Sequence, residues 1–429
     1  MEQLTLKMER FSATKIFYLC VFLISVLVMF QRKPHVLVYA NFWAEDGKIF
    51  FEQMYHEGLK SLLYPYAGYL HLVPRLVMFI TLPFGIINAP LISNFMSLVL
   101  RALPMVFLFT ERFSFMGMAC RFFLWIYCLI MPQALEETIG NITNIQWNLS
   151  VWLLMVIIAA PAKTTMQKLH DWLVLILAGL SGPFIIFAFP LMIAGKPSRG
   201  KSIAFRMFAV LLGLIQLYTV LNTAQEVQNL SFYGTGRTAW EFIVWLIRIF
   251  CTRVVYSTFL PNFPSIMAYV LDKSMILTFI VFAPLACITA RGFFRGTWRF
   301  RVCALFGSAI FLSSSWRMWL SVDVPYGITV GGGSRYFVLA NILVFSFMIF
   351  FVRDFWLSGH EQLKEKCCTY ITILLFVMAL VSFSLFPPFK LAPYRQSIRE
   401  LYYPAPAGST VVIPINPDGW EMTLIKKEK

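Results

Sequence analysis

The chain has 429 residues, of which 59% are hydrophobic, 17% aromatic and only 13% charged. Soluble domains carry about 25% charged residues, so this composition excludes an ordinary soluble protein. Apolar segments of transmembrane length recur along the chain and predict an all-α polytopic membrane protein. Much of the formal net charge of +15 lies in short loops. That placement indicates membrane orientation and contact with anionic membrane lipids, and it argues against nucleic-acid binding.

The first apolar segment, residues 16–30, follows Lys7, Arg10 and Lys15. No small-residue cleavage site follows it, so we expect an uncleaved transmembrane helix rather than a signal peptide. The basic residues before it predict a cytoplasmic N-terminus.

An acid pair, Glu45–Asp46, lies in the stretch NFWAEDGKIFFEQMYHEG just after this helix. One interpretation is structural, because acidic residues favour the first turn of a helix. The other is catalytic: a carboxylate at a membrane surface can take the proton of an acceptor hydroxyl. Trp43 beside the pair and a second acid pair, Glu136–Glu137, favour the catalytic interpretation.

The next stretch, YPYAGYLHLVPRL, collects Tyr66, Tyr69, His71 and Arg75. His71 and Arg75 are four residues apart and therefore share one helix face. Arg75 is either an interfacial anchor to the bilayer or, with His71, a binding group for a lipid phosphate.

Three apolar pieces follow, at 69–89, 91–109 and 114–132. Three crossings would place Glu136 and Glu137 in the cytoplasm, so charge bias favours two crossings. We therefore predict that 69–89 is a juxtamembrane or re-entrant helix, broken near Pro83.

The second acidic loop continues into GNITNIQW, residues 140–147. Asn141, Asn144 and Trp147 are three residues apart and share one helix stripe. An indole ring stacks on sugars and amides bond hydroxyls, so these three are candidate sugar ligands.

Two segments have unusual lengths or charges. Residues 170–196 run between two basic loops and are predicted to form a short helical hairpin broken at Ser-Gly-Pro. Residues 240–259 carry Arg248 and Arg253, and we expect a helix at the outer interface, because a spanning helix would bury two charges.

The stretch VPYGITVGGGSRYF precedes a later helix. Its glycines can present backbone N–H groups to an anion, with Arg335 and Tyr336 beside them. The alternative is a linker with an interfacial Arg-Tyr belt. The predicted architecture is a membrane domain over 1–386 with about 11 crossings, followed by a small external tail over 387–429 containing a short strand in STVVIPI. None of the Cys or His spacings indicates a metal site.

The strings WAEDG, PYAGYLHLVPRL, GGSRYF and PINPDGW resemble the GT-C class of membrane glycosyltransferases, and in particular phage-type O-antigen glucosyltransferases that convert bacterial serotype. The resemblance covers much of the chain in short strings. It implies a bacterial inner-membrane enzyme with a periplasmic active site and C-terminus. The implied donor is an undecaprenyl-phosphate-linked hexose, glucose by the same resemblance, and the acceptor is a lipid-linked O-antigen repeat of lipopolysaccharide. A companion donor-making transferase and a flippase would supply the donor.

The resemblance also implies residue roles. The catalytic base falls on Asp46, with Glu45 assisting, and the second acid falls on Glu136 or Glu137. Related mannosyltransferases have the order Asp-Glu at the first site, whereas this chain has Glu-Asp, which leaves the choice of base open. Some GT-C enzymes hold a divalent cation between such acids and others hold none, so a cation near Asp46 stays open.

The remaining expectations concern substrate binding. Donor phosphate is expected near Arg75, His71, Arg335 and Tyr336. Sugar or acceptor is expected to contact aromatic and amide side chains: Trp43, Tyr66, Tyr69, Asn141, Asn144 and Trp147. The rival classes are a lipid-linked-sugar flippase or transporter, a membrane scaffold, and an O-acyltransferase.

Overall fold

The computed structural model describes residues 2–132, 137–194, 200–227, 238–259, 296–319, 333–352, 361–384 and 391–428, with scattered positions between 280 and 294. The first half of the chain contains these α-helices: α1 Glu2–Arg32, α2 His35–Val38, α3 Glu52–Glu57, α4 Leu72–Thr81, α5 Ala89–Leu108, α6 Met118–Ile130, α7 Ile145–Ile158, α8 Thr165–Gly179, α9 Ile185–Ile193 and α10 Ile203–Val227.

The second half continues the bundle and ends in a small sheet. Its elements are α11 Ala239–Ile249, α12 Ser257–Phe259, α13 Trp298–Trp319, α14 Val338–Phe351, α15 Glu361–Ser384, α16 Tyr394–Ser397, β1 Thr410–Ile415 and β2 Trp420–Ile425. Short 3₁₀ or π turns join several of them: Asp46–Phe51, Gly58–Leu63, Leu82–Phe84, Glu111–Met116, Phe250–Tyr256, Ser334–Phe337 and Ile398–Tyr402.

Within the described residues, four segments are long and apolar enough to cross a membrane: Ala13–Arg32, Ala89–Leu108, Ile203–Thr223 and Ala239–Phe259. Their outer faces agree with a lipid environment. α1 exposes Ile16, Leu19, Leu23 and Leu27 at helical spacing, a stripe that water would not favour. The predicted class, a helical membrane protein, is thus supported; the count of about 11 crossings extends beyond these four segments and stays a prediction.

The basic loops converge at one end of the bundle. Arg112 binds Asp171 through two hydrogen bonds of 2.6 and 2.9 Å, and Lys201 lies 3.3 Å from the same carboxylate. Phe17, near the start of the first apolar segment, packs against Phe109 with ring centres 5.3 Å apart. We call this the basic end; positive charge predicts that it faces the cytoplasm.

The Arg112–Asp171 pair is a stability determinant, because both side chains are almost fully buried. We expect Arg112→Ala to lower the free energy of unfolding by about 3–5 kcal/mol, since it leaves a buried carboxylate without its main partner. Thermal unfolding in detergent measures this. Lys168→Ala, at an exposed position of the same helix as Asp171, is the control and should have little effect. An unchanged melting temperature for Arg112→Ala would contradict the assignment.

The hairpin predicted over 170–196 agrees with the structure. α8 ends at Gly179, a turn containing Gly182 and Pro183 follows, and α9 begins at Ile185. Gln216 of α10 bonds the Gly179 carbonyl, while Phe189 of α9 contacts Gly213. Both arms therefore pack on α10. The helix predicted at 69–89 is likewise short: α4 ends at Thr81, and a 3₁₀ turn containing Pro83 follows.

The expectation for 240–259 is wrong in its position. This segment does not lie apart at an interface but packs into the bundle, with Phe242 and Trp245 against Trp319 and Phe250 against Phe311. The charge argument fails because Arg253 turns inward. Arg253 is 2% exposed, and its guanidinium lies 5.2 Å from the centre of the Phe337 ring.

The predicted external cap contains an antiparallel hairpin, with Thr410 opposite Ile425 and Ile415 opposite Trp420. It packs on the loop that follows the first helix. Asn416 accepts a hydrogen bond from the Ala44 N–H and donates its own N–H to the Phe42 carbonyl at 3.0 Å. Glu52 accepts the Thr423 N–H at 2.8 Å. The loop that follows α1 and the C-terminal hairpin thus form one structure beside the bundle.

Candidate functional site

The WAED turn and the GNIT loop meet through the carboxylate of Asp46. Asp46 accepts the backbone N–H groups of Ile142 at 3.1 Å and Thr143 at 2.8 Å, and also the Thr143 hydroxyl. The side chain has no exposed surface. The turn needs a left-handed residue, which Ala44 supplies at φ 40°. Both oxygens of Asp46 are therefore engaged in holding the second loop against the first.

Burial raises the pKa of Asp46 to about 7, although its hydrogen bonds with Thr143 and Ile142 act in the opposite direction. Arg101 of α5, 7% exposed, interacts electrostatically with this carboxylate. Sequence reasoning missed Arg101, although an arginine inside an apolar segment is itself a signal of function or buried pairing.

Glu45 has a different environment from its neighbour. It is partly exposed and interacts electrostatically with the Tyr66 hydroxyl. It also interacts electrostatically with Arg335. The acid pair is thus divided between two roles: Asp46 points into the protein, and Glu45 points toward the groups that line the candidate site.

The second acidic loop reaches the same place through Glu137. Its carboxylate lies 3.2 Å from a terminal guanidinium nitrogen of Arg335 and accepts the Arg335 backbone N–H at 3.2 Å. The Ser334 hydroxyl donates to it at 3.4 Å. Its backbone carbonyl accepts the side-chain amides of Asn141 and Asn144. Glu136 lies outside the described residues.

These bonds change the predicted role of the two asparagines. Asn141 and Asn144 are buried, and their amide nitrogens are already used by the Glu137 carbonyl. Each amide uses one N–H to hold the Glu137 carbonyl, so the role that the structure shows for these side chains is to shape the loop. Gly140 permits the same loop: its φ is +76°, and an added Cβ would lie 2.4 Å from a methyl of Val36.

Aromatic groups form one wall of the site. The Trp147 ring packs edge-on against Tyr336 with centres 5.2 Å apart, and Arg335 lies over the Tyr336 ring at 4.9 Å. The Trp147 Nε1–H is buried and has no hydrogen-bond partner in the described part of the chain. Gln146 donates to the Tyr69 hydroxyl at 3.0 Å, which adds Tyr69 to the same wall.

Trp43 belongs to the margin of this arrangement. It bridges to Asn416 of the C-terminal hairpin, and the Lys33 ammonium lies 4.9 Å from its ring centre. Lys33 in turn donates to the Ile139 carbonyl at 3.0 Å. The ring therefore joins the end of α1, the second loop and the hairpin, as a supporting contact.

His71 is buried and stacks on Tyr69 with ring centres 4.4 Å apart. Burial lowers the pKa of its imidazole to about 3, so the ring is neutral at pH 7. It can donate or accept a hydrogen bond there, but it supplies no positive charge to a phosphate.

Arg75 is the second arginine of the region, and it is fully buried. Its guanidinium lies between the Phe50 and Tyr64 rings, and none of its three nitrogens has a hydrogen-bond partner among the described residues. It interacts electrostatically with Glu57, whereas Arg335 interacts with Glu45 and Glu137. The two arginines therefore serve different acids, and the structure does not gather them around one carboxylate.

A divalent cation near Asp46 does not fit these surroundings. Cation sites need oxygen ligands, but Asp46 faces two N–H groups, a hydroxyl donor and a guanidinium. In the described ranges, no group of three His, Cys, Asp or Glu side chains could hold a metal ion.

No family model matches the chain, and no curated protein matches it.

Proposed function

We propose that this protein is an inverting membrane glycosyltransferase of the GT-C type. It moves a hexose from undecaprenyl phosphate to a hydroxyl of a lipid-linked O-antigen repeat, on the periplasmic side of the bacterial inner membrane. The observation that carries the proposal is the convergence of Glu45, Glu137 and Arg335. They come from three separate loops and meet beside an aromatic wall.

The arrangement suits a single displacement at a sugar carbon. Glu45 is the exposed acid, so it takes the proton of the acceptor hydroxyl as that oxygen attacks the anomeric carbon. The bond from that carbon to the donor phosphate oxygen breaks, and the lipid phosphate leaves with its electron pair. Arg335 stabilises the charge that develops on it. The base is thus Glu45, and Asp46, which the family resemblance put first, is a positioning residue.

Aromatic and neutral groups complete the binding surface. The Tyr336 ring is partly exposed and offers an apolar face on which a hexose stacks. The buried Trp147 ring packs edge-on against Tyr336 and supports it. The Tyr66 hydroxyl interacts electrostatically with Glu45 and forms part of the same surface. Holding donor and acceptor together at this surface supplies part of the acceleration.

The function and the phosphate site are tested together by transfer of labelled hexose from undecaprenyl-phosphate hexose to purified O-antigen in membranes. We expect wild type to transfer and Arg335→Ala to be slower by about 100-fold, the scale of one charge-stabilising group. Arg75→Ala is the matched control, because it removes another guanidinium of the same region.

The outcomes separate the alternatives. If Arg75→Ala reduces the transfer rate more than Arg335→Ala does, the donor phosphate binds between Phe50 and Tyr64 instead. Absence of transfer by wild type from every polyprenyl-phosphate hexose, together with movement of the labelled lipid across vesicles, would replace the enzyme by a lipid-linked-sugar flippase.

A further inference from the structure

A cavity of about 430 Å³ lies between α5, α6, α7, α13 and α14. One face of α14 runs along the length of the cavity. The residues of this face that line the cavity are Leu339, Ile342, Leu343, Ser346, Phe347 and Phe350. Leu339 to Phe350 spans about 16 Å at a rise of 1.5 Å per residue, so the cavity is elongated. Its walls are mostly apolar, and an elongated apolar space between helices suits a flexible hydrocarbon chain.

The two ends of the cavity differ in exposure. Leu339, one turn of helix beyond Arg335, is 1% exposed and closes the end toward the candidate site. At the other end Thr297 is exposed, and Arg299 and Phe350 are partly exposed. The described opening therefore faces the basic end of the bundle, away from Glu45.

Arg299 is fixed at this opening. Its Nε donates to the Ile158 carbonyl at 2.7 Å, and its guanidinium lies 3.9 Å from the centre of the Phe115 ring. Its two terminal nitrogens make no hydrogen bond in the described ranges, so the cation is oriented while its donors stay available. A fixed guanidinium with two such donors suits a phosphate group.

We propose that the cavity holds one acyl chain of an anionic bilayer phospholipid whose phosphate binds Arg299. The apolar walls match the chain, and the cation at the mouth matches the headgroup. The basic end is the end that positive charge places against the anionic leaflet. This site is separate from the proposed sugar-transfer site and does not depend on that activity.

The test counts retained lipid and needs no substrate. Full-length protein is reconstituted in nanodiscs of deuterated phosphatidylglycerol, transferred to detergent and analysed by native mass spectrometry. We expect wild type to retain one phospholipid and Arg299→Gln to retain about fivefold less, the effect of one basic residue on an anionic lipid. Ser346→Leu, which fills the middle of the cavity, should also lose the lipid.

Arg301→Gln is the matched control. Arg301 lies on the same helix but donates to the Phe293 and Phe294 carbonyls and does not line the cavity. We expect it to retain lipid as wild type does. Equal retention by wild type, Arg299→Gln and Ser346→Leu would overturn the proposal. Retention of co-purified polyprenyl phosphate in place of the deuterated phospholipid would overturn it as well, and would assign the cavity to the donor.

Discussion

Glu45→Gln is expected to reduce the rate of hexose transfer by about 10²–10⁴-fold, the usual contribution of a general base, while leaving the protein folded. Glu45 is the member of the acid pair with exposed surface, and its side chain faces Tyr66 and Arg335. Glutamine keeps the size of the side chain, but it cannot take a proton from the acceptor hydroxyl. The measurement is initial transfer rate at saturating donor, at equal protein levels in membranes.

Glu52→Gln is the matched control for this result. Glu52 lies seven residues further along, at the start of α3, and its carboxylate accepts the Thr423 N–H of the hairpin. A neutral amide oxygen can still accept that bond, so the transfer rate should change little. A wild-type rate in Glu45→Gln would exclude Glu45 as the base and direct attention to Glu137.

Asp46→Asn is expected to act through the fold. The amide keeps one acceptor oxygen where the carboxylate has two, and it places an N–H₂ group against N–H donors of the GNIT loop. Each buried donor left without a partner costs about 1–3 kcal/mol, so the melting temperature should fall clearly. The variant should also lose transfer, because the displaced loop no longer positions Glu137. At lower temperature, the position of Glu137 and the transfer rate of Asp46→Asn should both recover in part.

The same residue gives stability a pH dependence. The pKa of Asp46 is about 7 in the folded protein, above its ordinary value of 3.8. The folded state therefore binds a proton more tightly than the unfolded state does. The contribution of Asp46 to the free energy of unfolding is therefore largest below pH 4. It declines between pH 4 and pH 7 and no longer changes above pH 7. A scan of melting temperature against pH checks this, and Asp46→Asn should remove that dependence.

Local sequence patterns predicted much of the architecture. The Gly-Pro sequence predicted the turn between α8 and α9, and Pro83 predicted the end of α4. Proline interrupts helical hydrogen bonding, so these breaks could be predicted from the sequence alone. β-branched residues in STVVIPI predicted a strand, and β1 covers most of it. The position of Ala239–Phe259 could not be predicted in this way, because a buried arginine depends on a partner ring, Phe337, more than 80 residues away.

The candidate site shows the same limit more sharply. Adjacent residues in a turn point in different directions, so the sequence placed Glu45 and Asp46 together but could not say which carboxylate would be buried. The asparagine stripe read as sugar-binding proved to hold the Glu137 carbonyl. Arg335 and Glu137 were both identified from their own loops, yet only the fold brings them 3.2 Å apart.

The contact between the first loop and the C-terminal hairpin also bears on biosynthesis. Glu52 and Thr423 are 371 residues apart in the chain, so the acid-bearing loop emerges from the ribosome long before the strands that support it. During that interval the Ala44 turn lacks its partner Asn416. A nascent chain would therefore insert most of its helices before the hairpin strands are made. The loop that carries Glu45 is completed only once those strands pack against it.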